Sequence, residues 1–222
     1  LYWAAAKTGI VIVPGSPLLQ ATGLTTLLRD SDTVIVFADS AFAETLDEIK
    51  NDLPAIQNER WILISEGKNK SGFRAYRYYI SESSTDEPPD AEFTDDDVYN
   101  IMYSSGTTGA PKGIVHTHYV RANYCTHFAS AWRMSPESIV LHAGAIVFNG
   151  AMLDLMPWMF LGATYILHHY FDAGSVLKTI EKENVTHMVM VPAQITALLN
   201  HPDFEPHKLR SLEMLQNVGA PL

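Results

Sequence analysis

Short apolar strands alternate with helices along most of this chain, and this alternation limits its fold more than any other feature. The residues predict strands at 10–13, 33–37 and 60–64, separated by helices at 22–29 and 41–50. Strands that alternate with helices of this length are typical of βαβ units around a mostly parallel sheet. The sequence therefore predicts an α/β fold of layered βαβ sheets flanked by helices.

The second half of the chain continues the same alternation. Further strands are predicted there at 98–102, 113–116, 138–141, 163–167, 187–191 and 213–217, and further helices at 119–132, 173–183 and 192–200. One more helix is predicted at 1–7, at the start of the chain. Four residues are expected to mark helix ends: Thr22 and Asp172 as N-terminal caps, Pro192 as a first helical residue, and Gly9 as a stop.

One polar segment, residues 81–97, is expected to link two parts of the chain. It holds three serines, two prolines and eight acidic residues, a composition typical of a solvated connector. We therefore expect a first α/β subdomain segment at 1–80, an acidic linker at 81–97, and a second α/β subdomain segment at 98–222.

The most informative loop follows the strand predicted at 98–102. Tyr103-Ser104-Ser105-Gly106-Thr107-Thr108-Gly109-Ala110-Pro111-Lys112-Gly113 combines hydroxyls, glycines and one lysine between two strands. Glycine accepts positive φ without steric cost, so such a loop can turn its N–H groups inward. Inward N–H groups, hydroxyls and the Lys112 charge together suit an anion, and the loop predicts a phosphate site.

Three other kinds of loop are rich in the same residue types. The Walker pattern requires Gly-Lys-Ser/Thr at the start of a helix, whereas Lys112 here precedes Gly113 and a predicted strand. A serine hydrolase requires Gly-X-Ser-X-Gly between a strand and a helix, which is absent. An ordinary Gly/Ser-rich turn stays open on composition alone, because these residues dominate turns.

The ordered string resembles the signature loop of the adenylate-forming superfamily, of the acyl-CoA synthetase or fatty-acid–CoA ligase type. Aryl-acid ligases, fatty acyl-AMP ligases and amino-acid adenylation domains share this loop. Ser104 replaces the usual threonine and keeps a hydroxyl. The resemblance extends to Gly219-Ala220-Pro221-Leu222. It implies the fold of the large N-terminal domain of acyl-CoA synthetases.

The sequence departs from the family pattern at two positions expected to face substrate. Val147 stands where the family's Phe-His-X-X-Gly has histidine, and Val218 replaces the first glycine of Gly-Gly-Ala-Pro-Leu. A valine at 147 makes that wall more apolar, which suits an aliphatic acyl chain. The same two departures would also fit a nucleotide-binding module that has lost catalysis.

The resemblance implies activation of a carboxylic acid, of the fatty-acid class, by ATP with Mg²⁺, followed by thioester formation with coenzyme A. It implies nucleotide binding by Ser104, Ser105, Gly106, Thr107, Thr108, Gly109, Lys112, Gly219, Ala220 and Pro221. It implies a substrate pocket at Val147, Phe148, Asn149 and Gly150. The family's catalytic residues would lie beyond Leu222, so we assign none here and expect this internal piece to be inactive alone.

Composition narrows the possible partners and compartment. The formal net charge of −10 argues against a nucleic-acid surface. Asp154 and the helix-breaking residues Gly150, Pro157 and Gly162 argue against a membrane span at 143–167 and instead predict a loop, a helix and a buried strand there. The single cysteine, Cys125, suits a reducing compartment, and we expect the cytoplasm. The histidine pairs His116/His118 and His168/His169 lack a third ligand at zinc spacing, so no metal site is predicted.

Overall fold

The computed structural model describes residues 1–64, 72–104 and 111–221. Within it the chain forms two compact units. Unit 1 comprises Leu1–Glu92 and Asn100–Val115, and unit 2 comprises Phe93–Tyr99 and His116–Leu222. The division predicted at residues 81–97 stays a prediction.

Unit 1 contains a parallel sheet of three strands with helices before and after it. In chain order its elements are α1 (Tyr2–Thr8), α2 (Ala21–Asp30), β1 (Val36–Asp39), α3 (Ala43–Ile49), β2 (Trp61–Ile64), β3 (Arg74–Ala75) and α4 (Tyr76–Ser81). Strand β2 lies between β1 and β3, with Val36 opposite Trp61 and Asp39 opposite Ile64. Short 3₁₀ turns flank α3 and precede β2.

The core of unit 1 forms between α2, α3 and β2. Its buried members are Leu27, Leu28, Ala43, Leu46, Ile49, Leu53, Ile56, Trp61 and Leu63. Trp61 is 1% exposed, and its indole N–H donates to the Ile56 carbonyl at 3.3 Å. A tryptophan can be this deeply buried because its polar N–H finds a partner.

A second sheet has two strands, β4 (Val98–Ser104) and β5 (Lys112–Thr117). Residues 100–104 of β4 and 112–115 of β5 belong to unit 1. The six residues between Ser104 and Pro111 lie outside the described residues. The strands predicted on either side of the phosphate loop are therefore confirmed, each slightly longer than predicted.

Unit 2 contains a four-stranded parallel sheet in the order β7-β6-β8-β9. Its elements are α5 (His118–Ala131), β6 (Ile139–Ala143), α6 (Asn149–Leu161), β7 (Thr164–His168), α7 (Ala173–Glu183), β8 (His187–Met190), α8 (Pro192–Leu199) and β9 (Met214–Asn217). Helices α6, α7 and α8 each connect one parallel strand to the next, as βαβ units require. The predicted α/β class is confirmed.

The two inner strands of unit 2 are almost entirely buried. All four residues of β8 are buried, and four of the five residues of β6 are buried. Apolar residues of α7 pack onto them, including Val176, Leu177 and Ile180. A strand buried on both faces reads as a continuous apolar run, which explains Met188-Val189-Met190.

Three of the four predicted helix-end signals are confirmed. The Asp172 carboxylate accepts from the Ser175 N–H at 2.8 Å, and hydrogen bonds from the Ser175 side chain and backbone hold the pKa of Asp172 below its ordinary value. Pro192 is the first residue of α8, and Gly9 follows α1 with φ 73°. Thr22 as a cap is wrong, because α2 begins at Ala21 and its cap position is Gln20.

Other predictions on the first 81 residues need correction. The strand predicted at 10–13 is reduced to a single bridge between Ile12 and Asn100, since Pro14 lacks the N–H that would extend the pairing. Helix α4 was not predicted, because its Tyr-Arg-Tyr-Tyr run has low helix propensity. Edge-to-face contacts of Tyr76 and Tyr79 with Phe37, at 6.2 and 5.7 Å, hold it in place.

The apolar stretch at 143–167 folds into a loop, α6 and β7, as predicted. Helix α6 is 13 residues long. Across the described parts of the chain, no helix has the length and hydropathy needed to cross a bilayer.

Glycine at the end of α6 should be required for stability. Gly162 is left-handed, with φ 70° and ψ 26°, and an L-residue there loses about 1–2 kcal/mol. We expect Gly162→Ala to lower the free energy of unfolding by about that amount in urea titrations. The control is Gly23→Ala inside α2, which should lower stability less, because alanine favours a helix interior by about 0.5–1 kcal/mol and the added methyl meets only the end of the Leu19 side chain, at 3.1 Å. Equal losses in both variants would contradict this prediction.

Candidate functional site

The two ends of the predicted phosphate loop lie in unit 1. Ser104 is the last residue of β4, and Lys112 is the first residue of β5. Ser105, Gly106, Thr107, Thr108 and Gly109 lie outside the described residues, and their assignment stays a prediction. Both described ends are exposed, so ligand can reach them.

The Lys112 side chain is exposed, and it makes no ion pair with any residue in the described ranges. A lysine ammonium group that is not paired with a protein carboxylate can form an ion pair with an anionic ligand. Its place at the end of the loop agrees with a cation at the rim of a phosphate site.

Tyr103 connects the two strands that carry the loop. Its ring lies against Gly113, where an added Cβ would approach Tyr103 Cζ to 3.1 Å and Ile101 Cγ2 to 2.9 Å. Only glycine fits that contact without a shift of its neighbours. The Tyr103 hydroxyl donates to Asp30 Oδ2 at 2.5 Å, from the last residue of α2. Sequence reasoning missed Asp30, since nothing local marks it as a partner of a residue 73 positions away.

The predicted substrate residues begin α6 in unit 2. Val147 and Phe148 precede the helix, and Asn149 and Gly150 are its first two residues. Phe148 is 48% exposed, whereas the other three are partly buried. The segment therefore presents one large apolar side chain at the amino end of α6.

Arg121 holds the start of α6 from helix α5. It is 2% exposed, and its Nη1 donates to Asn149 Oδ1 at 2.9 Å. Its guanidinium also lies over the Tyr124 ring, 4.8 Å from the centroid. Asn149 in turn donates to the Tyr124 hydroxyl at 3.3 Å. Sequence reasoning did not identify Arg121, although a charged residue inside a predicted helix beside the loop was a usable signal.

The second predicted nucleotide segment, Gly219-Ala220-Pro221, follows β9 in unit 2 and is exposed. Asn217 Nδ2 donates to the Ala220 carbonyl at 2.8 Å and closes this turn. The preceding residue, Val218, packs against Gly150: a Cβ added at Gly150 would lie 3.1 Å from Val218 Cγ2. The structure thus brings together the amino end of α6 and the residue before Gly219.

Gln194 ties the carboxyl ends of β6 and β8. Its Nε2 donates to the Ala143 carbonyl at 3.1 Å, and its Oε1 accepts from the Val191 N–H at 3.0 Å. In open parallel sheets, ligands bind beyond the carboxyl ends of the strands. Gln194 fixes the backbone at that edge, where the segments starting at Val147 and Gly219 also lie.

A buried polar cluster lies between β6, α6 and β7. Asp154 is fully buried in α6, and its Oδ1 accepts from the Tyr165 hydroxyl at 3.2 Å. His142 Nδ1 lies 3.5 Å from Asp154 Oδ2, which is longer than an ordinary hydrogen bond. Burial raises the pKa of the Asp154 carboxyl despite the opposing effect of His142. Burial and the neighbouring Asp154 raise the pKa of the Tyr165 phenol.

The histidines and the cysteine have other partners in this structure. His118 begins α5, whereas His116 lies in β5, and the His118 ring stacks on Phe93 at 4.3 Å. His168 Nε2 lies 3.0 Å from Thr179 Oγ1. Among the described residues, no three His, Cys, Asp or Glu side chains converge as metal ligands would. Burial raises the pKa of the Cys125 thiol, which disfavours the reactive thiolate.

The chain is similar in sequence to known CoA synthases and ligases. A feruloyl-CoA synthase of Amycolatopsis sp is 31% identical over 99% of this chain and 41% of its own length. The long-chain-fatty-acid–CoA ligase FadD13 of Mycobacterium tuberculosis is 29% identical over 100% of this chain and 42% of its own length. The chain therefore spans less than half of these relatives.

The fold is also found among solved structures. ATP-bound MatB from Rhodopseudomonas palustris superposes with a TM-score of 0.82 at 20% identity, covering 100% of this chain and 42% of that protein. The family model for the AMP-binding enzyme matches residues 1–222. The chain thus belongs to the AMP-binding enzyme family.

Proposed function

We propose that the protein containing this chain activates a carboxylic acid with ATP and transfers the acyl group to coenzyme A. The acid's carboxylate oxygen attacks the α-phosphorus of ATP, and pyrophosphate leaves, giving an acyl-adenylate. The thiol of coenzyme A then attacks the acyl carbon, and AMP leaves with the bonding electron pair. The observation that carries the proposal is the loop from Ser104 to Lys112, between two strands of a chain in this family.

Charge neutralisation is the main physical problem in the first step, because two anions must meet. We propose that the Lys112 ammonium and the hydroxyls and N–H groups of residues 104–109 hold the β- and γ-phosphates. Preorganised donors of this kind stabilise charge without reorganising during the reaction. The Gly219-Ala220-Pro221 turn is proposed to lie against the adenine.

In this proposal, Mg²⁺ enters the site bound to the phosphates of ATP. The described residues offer no group of three ligands that could hold a metal. Mg²⁺ commonly uses substrate phosphates for several of its ligands. We propose that ATP carries it into the site, and no step assigned to the described residues depends on holding it. The cytoplasmic location likewise stays a proposal.

The acid is proposed to be a fatty acid. Support comes from Val147 and Phe148, which make the wall before α6 apolar, and from the similarity to a long-chain-fatty-acid–CoA ligase. An aryl acid is the second candidate. Similarity to a feruloyl-CoA synthase favours it, as does Val218, whose methyl groups fill the space beside Gly150.

The test is ATP–pyrophosphate exchange on the complete protein with matched acids. We expect octanoate and palmitate to support faster exchange than ferulate, benzoate or phenylalanine, and AMP release to require coenzyme A. Strongest exchange with ferulate would support the aryl candidate instead. Strongest exchange with phenylalanine would overturn the acyl-CoA proposal, and no exchange with any acid would favour a catalytically lost module.

A further inference from the structure

The phenol of Tyr103 is held from two sides at the entrance to the loop. Its hydroxyl donates to Asp30 Oδ2 at 2.5 Å. Its ring lies against Gly113, with Cζ and the hydroxyl oxygen 3.1 and 3.2 Å from the position of an added Cβ. Tyr103 precedes Ser104 at the end of β4, and Gly113 follows Lys112 at the start of β5. One ring therefore spans both ends of the loop.

The hydrogen bond to Asp30 limits where that ring can move. Asp30 is the last residue of α2, whose preceding residues Leu27 and Leu28 are buried in the core of unit 1. A carboxylate acceptor makes the bond charge-assisted, and such bonds are short and strong. The core thereby fixes the position of the Tyr103 phenol oxygen. The phenol ring in turn fixes the separation between Tyr103 on β4 and Gly113 on β5.

The Tyr103 phenol stays a donor throughout the physiological range. Burial raises its pKa, and the hydrogen bond and negative charge of Asp30 raise it further. Asp32, on the exposed turn after α2, contributes only a charge effect. Asp32 therefore provides a matched control that alters nearby charge without removing the hydrogen bond.

We propose that Asp30 and Tyr103 are positioning residues for the phosphate-binding loop. They hold the two ends of the loop at a fixed separation and so direct the backbone that carries Lys112. This inference rests on the proposed function of the loop. Neither residue is proposed to touch ATP.

The test uses the complete protein with four single variants: Tyr103→Phe, Asp30→Ala, Asp30→Asn and Asp32→Asn. Tyr103→Phe and Asp30→Ala should each raise the ATP dissociation constant and the KM for ATP about threefold to tenfold, with kcat nearly unchanged. Combining them should add nothing further, because each removes the same bond. Asp30→Asn keeps an acceptor oxygen and should retain most of the affinity. Asp32→Asn should match wild type.

A second measurement separates this inference from the proposed function. Amide hydrogen exchange of peptides covering residues 103–113, without nucleotide, should be faster in Tyr103→Phe than in wild type. If wild type binds no ATP, the proposed function fails. Faster hydrogen exchange in Tyr103→Phe would then still support the positioning role of Tyr103. Unchanged hydrogen exchange together with an unchanged KM for ATP in Tyr103→Phe would overturn the positioning role. An equal effect of Asp32→Asn would also overturn it, because charge alone would then be the cause.

Discussion

Asp154→Ala should destabilise unit 2 by about 1–3 kcal/mol, the cost of leaving a buried hydrogen-bonding group without its partner. The substitution removes the acceptor of the Tyr165 hydroxyl at a position that is 0% exposed, whereas His142 Nδ1 lies 3.5 Å from the carboxylate and makes no hydrogen bond to it. Asp154→Asn keeps the volume and an oxygen for Tyr165, and it should lose much less. The measurement is the free energy of unfolding from urea titration, and a loss below about 1 kcal/mol for alanine would contradict the prediction.

The same carboxyl should make stability depend on pH with a defined sign. Burial raises the folded-state pKa of Asp154 above the ordinary 3.8, and the titratable groups facing it are His142 from β6 and Tyr165 from β7. A raised pKa means that the folded chain holds this proton more tightly than the unfolded chain. Its contribution is therefore present below the ordinary pKa and is lost as pH rises toward the folded value.

Comparison with Asp154→Asn isolates this effect. Between about pH 4 and pH 8, wild type should lose stability relative to Asp154→Asn as pH rises, because only wild type must then bury a charge. Other carboxyls titrate equally in both proteins and cancel in the difference. A stability difference that stays constant over this interval would show that Asp154 titrates as an ordinary carboxyl.

Lys112→Ala in the complete protein should lower kcat/KM for ATP about tenfold to a hundredfold, the value of one charge-assisted contact to phosphate. Its unfolding midpoint should stay near that of wild type, because the Lys112 side chain is exposed. Lys178→Ala on the exposed side of α7 is the matched control and should leave ATP kinetics unchanged. Unchanged kinetics in Lys112→Ala would show that the segment around it is only a turn.

Features that depend on neighbours along the chain could be predicted from the sequence. The Asp172 cap, Pro192 at the start of α8 and the strands on both sides of the loop each follow from a few adjacent residues. The predicted strand at 10–13 was wrong because strand assignment requires a partner, and only Ile12 finds one. The local residue pattern indicates a preference for the strand conformation, but a strand forms only where the segment pairs with another strand.

The contacts that support the site could not be predicted in the same way. Asp30 reaches Tyr103 and Arg121 reaches Asn149 only once distant elements have packed together. Asp154 was visible as the one charge in an apolar stretch, yet its partners His142 and Tyr165 come from two different strands. Contacts between elements far apart in sequence leave no local pattern. The sequence therefore predicted the loop but not the residues that support the site, such as Asp30 and Arg121.

The contact between Gly150 and Val218 has an evolutionary consequence. The two side-chain positions share one volume, since a methyl group on Gly150 would come within 3.1 Å of Val218 Cγ2. A larger residue at 150 requires the Val218 side chain to shift or a smaller residue at 218, because the two groups would otherwise overlap. Among descendants of this sequence, the sizes of residues 150 and 218 should change in opposite directions. A substitution that enlarges one of them should be followed by a substitution that makes the other smaller.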